Sequence, residues 1–219
     1  MTVTASTGRR STKEVVGAVA GEYVTELQRG YRADTSAAAA TLAQLRRGAG
    51  RLPQDMPELW GLTGAERLYQ ALPSSGSDTD ASRAEGAMFL AVTLYALHQQ
   101  SRPDLGMHKA GIDLGAAVRR LMPNGEIDEP IRRRFTRAGT ATTLSTLAYR
   151  LREIVSLLRR ESVPLDYALL AQHLYQAQLP GGMQQVRQSW GRSFHAHRPQ
   201  TPESTSAPDG ETTTNEENK

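Results

Sequence analysis

Residues Ala87 to Leu97, reading AMFLAVTLYAL, are apolar around the whole circumference of a helix. A helix of that kind has no side to turn to water and must be wrapped by other elements. Only Thr93 interrupts the run, which falls far short of the roughly 20 apolar residues needed to span a bilayer. It therefore reads as the central buried helix of a helical protein. The chain has 219 residues, enough for one domain or two small lobes, and needs no staples to hold such a core.

The rest of the sequence supplies the wrapping helices. Ser11-Thr12-Lys13-Glu14 is a capping box, followed by Val15, Val16, Val19, Tyr23, Val24 and Leu27 at helical spacing, with an end near Gly30. An alanine-rich helix runs from about Thr35 to Arg47 and stops at Gly48. Arg51 to Trp60 is broken by prolines, and Thr63-Gly64-Ala65-Glu66 reads as a second capping box for a helix through Leu72. Pro73 to Ser82 is a loop by composition, with Ser82-Arg83-Ala84-Glu85 capping the central helix. A second long loop covers Ser101 to Gly111.

The second half opens on a helix from Asp113 to Met122, then a turn at Pro123-Asn124-Gly125. Asp128 is an N-cap with Glu129 and Pro130 in the first turn, and Ile131, Phe135 and Ala138 share one face. From Thr142 to Arg160, Leu144, Leu147, Leu151, Ile154 and Leu158 form an apolar seam. Asp166 caps a helix through Ala177, and Pro180-Gly181-Gly182 breaks it. A last amphipathic helix carries Met183, Val186, Trp190 and Phe194. No period-2 pair of runs joined by a hairpin turn and no internal repeat occurs. The class is all-α, a bundle of about eight or nine helices by periodicity. The expected divisions are a disordered N-terminus over 1–10, helical lobes over 11–100 and 101–198, and a disordered acidic tail over 199–219.

Composition removes most chemistry. There is no cysteine, hence no disulfide, thiolate metal site or cysteine nucleophile, which fits a reducing cytoplasm. The first thirty residues hold no apolar run of signal-peptide type. His195 and His197 are the only close histidine pair, but an i, i+2 pair points to two faces of a helix and makes a poor metal clamp. His173, among Leu169, Leu170 and Leu174, reads as a hydrogen-bonded, partly buried histidine. No nucleophile elbow and no phosphate-binding glycine loop is present. The carboxylate pairs Asp128-Glu129 and Asp78…Asp80 sit where they complement a helix dipole. No enzyme, cofactor, metal or small-molecule substrate is expected.

Charge is the remaining signal. Residues 201–219 hold five acids and one base; without them the body carries 25 bases against 18 acids, a net +7. Of the 26 bases 23 are arginine, part of which a GC-rich genome would explain. Position says more. Arg46-Arg47 and Arg159-Arg160 close helices, where positive charge is favourable. Arg132, Arg133 and Arg134 lie near a helix start, where it is not, and this suggests an anionic partner. Arg133 and Arg137 point away from the Ile131/Phe135/Ala138 face, while Arg150 and Arg152 border the next helix's seam. With only twelve aromatic residues, most of them on apolar faces, contact is expected to be with phosphates rather than bases.

From about Leu52 to Phe194 the order of motifs resembles CasB, the small subunit of the Cascade surveillance complex of type I-E CRISPR systems. The likeness rests on Gly111-Ile112-Asp113-Leu114-Gly115, Gly125-Glu126-Ile127-Asp128-Glu129, the basic helix from Ile131 to Ala138, the long leucine-arginine helix and Pro164-Leu165-Asp166-Tyr167-Ala168-Leu169-Leu170. Ala43-Gln44-Leu45-Arg46-Arg47 and Pro57-Glu58-Leu59-Trp60 resemble the family more loosely. The resemblance implies a non-catalytic subunit, present in two copies, that helps hold crRNA paired with target DNA and the displaced non-target strand beside other Cascade subunits. The family's basic residues map onto Arg46, Arg47 and Arg51, onto Arg132, Arg133, Arg134 and Arg137, and onto Arg150 and Arg152. The sequence departs from the family at Gln178-Leu179-Pro180-Gly181-Gly182, where relatives can be basic. Two other classes stay open: a helix-turn-helix DNA regulator, and an assembly scaffold whose arginines pair with carboxylates of neighbouring subunits.

Overall fold

A computed structural model describes residues 10–73, 76–122 and 126–196. The expectations for residues 1–9, Pro123-Asn124-Gly125, His197 and the tail from Arg198 onward lie outside those residues. Among the described residues there are nine α-helices: α1 (Thr12–Arg32), α2 (Ser36–Leu45), α3 (Ala65–Ala71), α4 (Asp78–Gln99), α5 (Leu114–Arg120), α6 (Glu129–Gly139), α7 (Leu144–Arg160), α8 (Tyr167–Ala177) and α9 (Gly182–Ala196). Three 3-10 turns, Arg46–Gly48, Pro53–Asp55 and Pro57–Leu59, lie between α2 and α3. The only β-type pairing among them is an isolated bridge between His108 and Leu165. The all-α reading holds.

Helix α4 is the axis. From Gly86 to Gln99 every residue is buried. It is flanked by α1, α2, α7, α8 and the turn at Arg46–Gly48. α1 lays Val15, Val16, Val19, Ala20, Val24 and Leu27 inward and packs along α8 as well as α4. α5 and α9 form a second tight pair. Gly115 is what lets them approach: a Cβ there would stand 2.0 Å from the Trp190 carbonyl oxygen and 2.4 Å from Ser193 Oγ. The Asp113 carboxylate fixes the same junction. It accepts the Gly115 N–H at 2.6 Å and the Ser193 hydroxyl at 2.5 Å.

Two helix starts differ from expectation. Helix α4 begins four residues before Ser82, with Ser77 as its N-cap accepting the Asp80 N–H at 3.2 Å. Asp78 and Asp80 occupy its first turn, as a dipole role requires. Asp80 is also gripped from afar, by the Thr12 hydroxyl at 2.8 Å and by Tyr175. These long-range bonds draw residues 78–82 into the helix. The Thr63–Glu66 box does not form. Gly64 is the N-cap instead, at φ +77°, a left-handed conformation that glycine adopts readily, and it has no side chain to cap with; Thr63 is buried. The boxes and caps at Ser11, Asp128 and Asp166 form as read.

The long loop after α4 has polar anchors within the core. The Gln99 side chain donates to the carbonyls of Arg102 (2.6 Å) and Leu105 (2.8 Å) and accepts from the Met107 N–H (3.0 Å) and the Tyr95 hydroxyl (3.2 Å). Gln28 of α1 clasps both backbone groups of His108. Asp166 accepts the Gly111 N–H at 2.8 Å. Gln99 satisfies four groups at once, so Gln99→Leu should destabilise the fold by roughly 3 kcal/mol, since each buried group left unpaired costs about 1–3 kcal/mol. Urea titration of the two proteins measures this. A loss below about 0.5 kcal/mol would show that the loop does not depend on that side chain.

His98 adds a pH dependence. Its Nδ1 lies 2.9 Å from the Tyr167 hydroxyl oxygen, and burial pushes its pKa down to about 3 from 6.5. Burial lowers His108 and His173 as well. The unfolded chain therefore binds protons that the folded chain refuses. The stability His98 contributes is complete above pH 6.5 and is lost as pH falls through the window from 6.5 to about 3. The loss runs at up to about 1.4 kcal/mol per pH unit for this one proton. The unfolding free energy of His98→Gln, followed over that range, should fall by up to one proton's slope less than that of the parent.

Candidate nucleic-acid interface

Helix α6 is oriented by its aromatic residue. Asp128 starts it by accepting the Ile131 N–H at 2.9 Å. Phe135 then stacks on Phe194 of α9, with centroids 5.4 Å apart and planes 20° apart, and lies 6.3 Å from Trp190. Ala138 is buried and Ile131 half-buried. With that face fixed, successive steps of about 100° put Arg133 and Arg137 on the far side, Arg134 at one edge and Arg132 on the other flank. All four are exposed.

They are not equivalent. Arg132 Nη2 pairs with Glu129 Oε1 at 2.7 Å, so its opposition to the dipole is answered within the helix. Arg137 lies in the last turn, where its charge is favourable. Arg133 and Arg134 are the cations near the helix start with no ion pair among the described residues. The unfavourable placement read for three arginines thus concerns two.

The second group stands on the turn after α2. Gly48 and Ala49 are buried against α4, while Arg47 and Arg51 are exposed and Arg46 is half-buried. Arg152 of α7 reaches this turn and donates from Nη1 to the Ala49 carbonyl at 3.1 Å. Arg152 is therefore brought to the turn that carries Arg46 and Arg47 and that leads into Arg51. Arg150 is not. Two residues earlier on α7, it lies on the opposite flank by the helix's turn of about 100° per residue. There it pairs with Glu153 at 3.2 Å and lies over Tyr149, 5.3 Å from the ring centroid. Helix α7 packs against α6 as well as α4, so it adjoins both arginine groups.

Other arginines are structural. Arg102 donates from Nη2 to the carbonyls of Arg159 (3.1 Å) and Arg160 (3.3 Å), closing the end of α7. Arg159 donates to Gln100 Oε1 at 2.6 Å and Arg160 pairs with Glu161 at 2.8 Å. Arg187 Nε donates to the Gly139 carbonyl at 2.8 Å, at the rim of a groove of about 680 Å³ between the α6–α7 junction and the α8–α9 break.

Three exposed aromatic rings carry no signal in the periodicity. Trp60 is 65% exposed, held by a hydrogen bond from Nε1 to the Pro53 carbonyl at 3.2 Å; Tyr149 is 54% exposed; and Tyr69 is 51% exposed, its hydroxyl donating to Glu85 at 2.7 Å. The prolines at 53 and 57 within the Arg51–Trp60 stretch are the sign in the sequence that Trp60 sits outside any apolar helix face. His173 is buried as expected, with Nδ1 accepting the Trp190 indole N–H at 2.9 Å. His195 is exposed on α9. No group of three His, Asp or Glu that could hold a metal ion occurs among the described residues. No described helix is long and apolar enough to cross a membrane.

Comparison with curated proteins finds no match. Among solved structures, the crystal structure of CasB from Thermobifida fusca is 53% identical over 83% of this chain and 98% of that one, with a TM-score of 0.76. A chain of a CRISPR RNA-guided surveillance complex is 19% identical over 83% and 96% of the two chains, with a TM-score of 0.60, a likeness of fold alone. The profile of CRISPR-associated protein Cse2 matches residues 41–195, which takes in both arginine groups and every helix from α3 to α9. By that match and by the identity to the T. fusca protein, the chain belongs to the Cse2 (CasB) family of CRISPR-associated proteins.

Proposed function

We propose that this chain is the non-catalytic small subunit of a type I-E Cascade surveillance complex in the cytoplasm. In that role it holds nucleic-acid backbone with arginines and so stabilises crRNA paired with target DNA and the displaced strand. Its partners are that nucleic acid, the other Cascade subunits and a second copy of itself. Family membership supports the assembly, as does the shared fold with a chain of an RNA-guided complex.

The observation that carries the binding role is the exposed α6 face, where Arg133, Arg134 and Arg137 have no ion pair among the described residues. Guanidinium forks match phosphate oxygens and need no particular base. Arg46, Arg47, Arg51 and Arg152 form a second contact area. Arg132 and Arg150 join only by exchanging a carboxylate partner for a phosphate. A guide–target hybrid suits this arrangement, because its A-form geometry offers backbone rather than base edges to a protein.

Each arginine–phosphate contact releases condensed counterion, at a log–log salt slope of about 0.7 per contact for single strands. Arg133→Ala with Arg137→Ala should therefore lower that slope by about 1.4 on a single-stranded oligonucleotide, by the same amount for every sequence. Fluorescence anisotropy across a salt series reads the slope, and thermal unfolding should be unchanged because both side chains are exposed. An unchanged slope rejects the α6 contact. Loss confined to one sequence favours a helix-turn-helix regulator. Loss of complex assembly with intact binding favours a scaffold.

A further inference from the structure

The exposed arginine face of α6 has a candidate occupant within the same chain. Helix α9 ends at Ala196. Two residues earlier, Phe194 is stacked on Phe135 of α6, and Arg119 of α5 stands 5.9 Å from the same ring. The polypeptide therefore leaves α9 beside α6. Beyond it come Glu203, Asp209, Glu211, Glu216 and Glu217, against the bases Arg198 and Lys219. The carboxylates already on α6 are committed: Glu129 to Arg132, and Asp128 to the helix cap. Arg133, Arg134 and Arg137 are thus an exposed cationic face with no paired acid among the described residues, next to the root of an acidic segment.

Reach is ample. Glu203 is seven residues past Ala196, up to about 25 Å at 3.3–3.6 Å per residue. Helix α6 is only about 16 Å long at 1.5 Å per residue. Arg120 and Arg192 on the neighbouring elements α5 and α9 are exposed as well.

We propose that the acidic segment 203–217 is an intramolecular competitor for phosphate on the α6 arginine face. This rests on the backbone-binding role proposed above. Tethering gives the carboxylates a high effective concentration at the face without any tight contact. Each pair is exposed and screened by salt, so the association is loose. A stray strand meeting one subunit has to displace it. A guide–target hybrid held by an assembly, touching many groups at once, displaces it readily. The segment sets a threshold against non-specific nucleic acid while leaving the assembled site open.

The chain has no cysteine, so Gly210→Cys accepts a single nitroxide label. At low salt the label should broaden the backbone amide signals of residues 131–138, and about 0.5 M salt should release them. A second protein carries Glu203→Gln, Asp209→Asn, Glu211→Gln, Glu216→Gln and Glu217→Gln. It should bind a mixed-sequence single-stranded oligonucleotide roughly three- to tenfold more tightly at low salt, with the gain vanishing at high salt. Absence of broadening overturns the proposal, whatever happens to nucleic acid. Broadening with unchanged affinity overturns it too, provided Arg133→Ala with Arg137→Ala weakens binding. If that arginine variant binds normally, the backbone-binding role itself has failed. A gain from the neutral tail that survives in the arginine variant places the competition elsewhere and also overturns the proposal.

Discussion

Everything in this fold answers to a helix that cannot face water. Fourteen consecutive residues of α4 are buried, so elements from both ends of the chain close around it. One consequence is topological: α1 and α8, more than a hundred residues apart, become neighbours on the same axis. Another is chemical. The polar end of α4 is buried, where the Gln99 side chain bonds to the following loop and His98 Nδ1 to Tyr167. The core uses up the apolar sequence and leaves the outer faces of α2, α6, α7 and the turns to carry any contact with other molecules.

On those outer faces the arginines divide into two kinds. Arg102, Arg159 and Arg187 spend guanidinium donors on side-chain or carbonyl oxygens of their own chain. Their loss would be felt in stability. Arg47, Arg133, Arg134 and Arg137 stand in solvent, and Arg51 is exposed with Nη1 donating to Met56 Sδ at 3.5 Å. Exposed ion pairs are worth only about 0.2–1 kcal/mol, so even Arg132 and Arg150 can leave their carboxylates at small cost. What decides the α6 geometry is then not charge but the Phe135–Phe194 stack. It fixes the rotation of the helix and so which arginines reach outward.

Local chemistry accounts for what the sequence disclosed. A serine or aspartate ahead of an apolar period is enough to place the starts of α1, α6 and α8, because a cap involves residues only three apart. The start of α4 was misplaced for the opposite reason. Ser77 and Ser82 are both plausible caps, and the choice depends on Asp80 meeting Thr12 and Tyr175, which lie 68 and 95 residues away. The same limit hid the union of Arg152 with the turn at Arg46–Gly48, whose Ala49 carbonyl lies 103 residues from it. Periodicity could show that Arg150 and Arg152 flank a seam. It could not show which flank meets what.

The sequence pattern and the fold together favour backbone contact over base reading on physical grounds. Base readout needs side chains fixed in a groove with bidentate geometry. Arg133, Arg134 and Arg137 project from one short exposed helix, and no ion pair among the described residues holds them. Long, exposed cations of that kind suit a chain of phosphates, whose charge repeats regardless of sequence. In the backbone-binding role proposed above, affinity would grow with the number of contacts made at once, so one subunit would bind loosely and an ordered array well. A face with that property is useful in a complex whose guide RNA supplies specificity by pairing, because the protein then adds stability without biasing the choice of target.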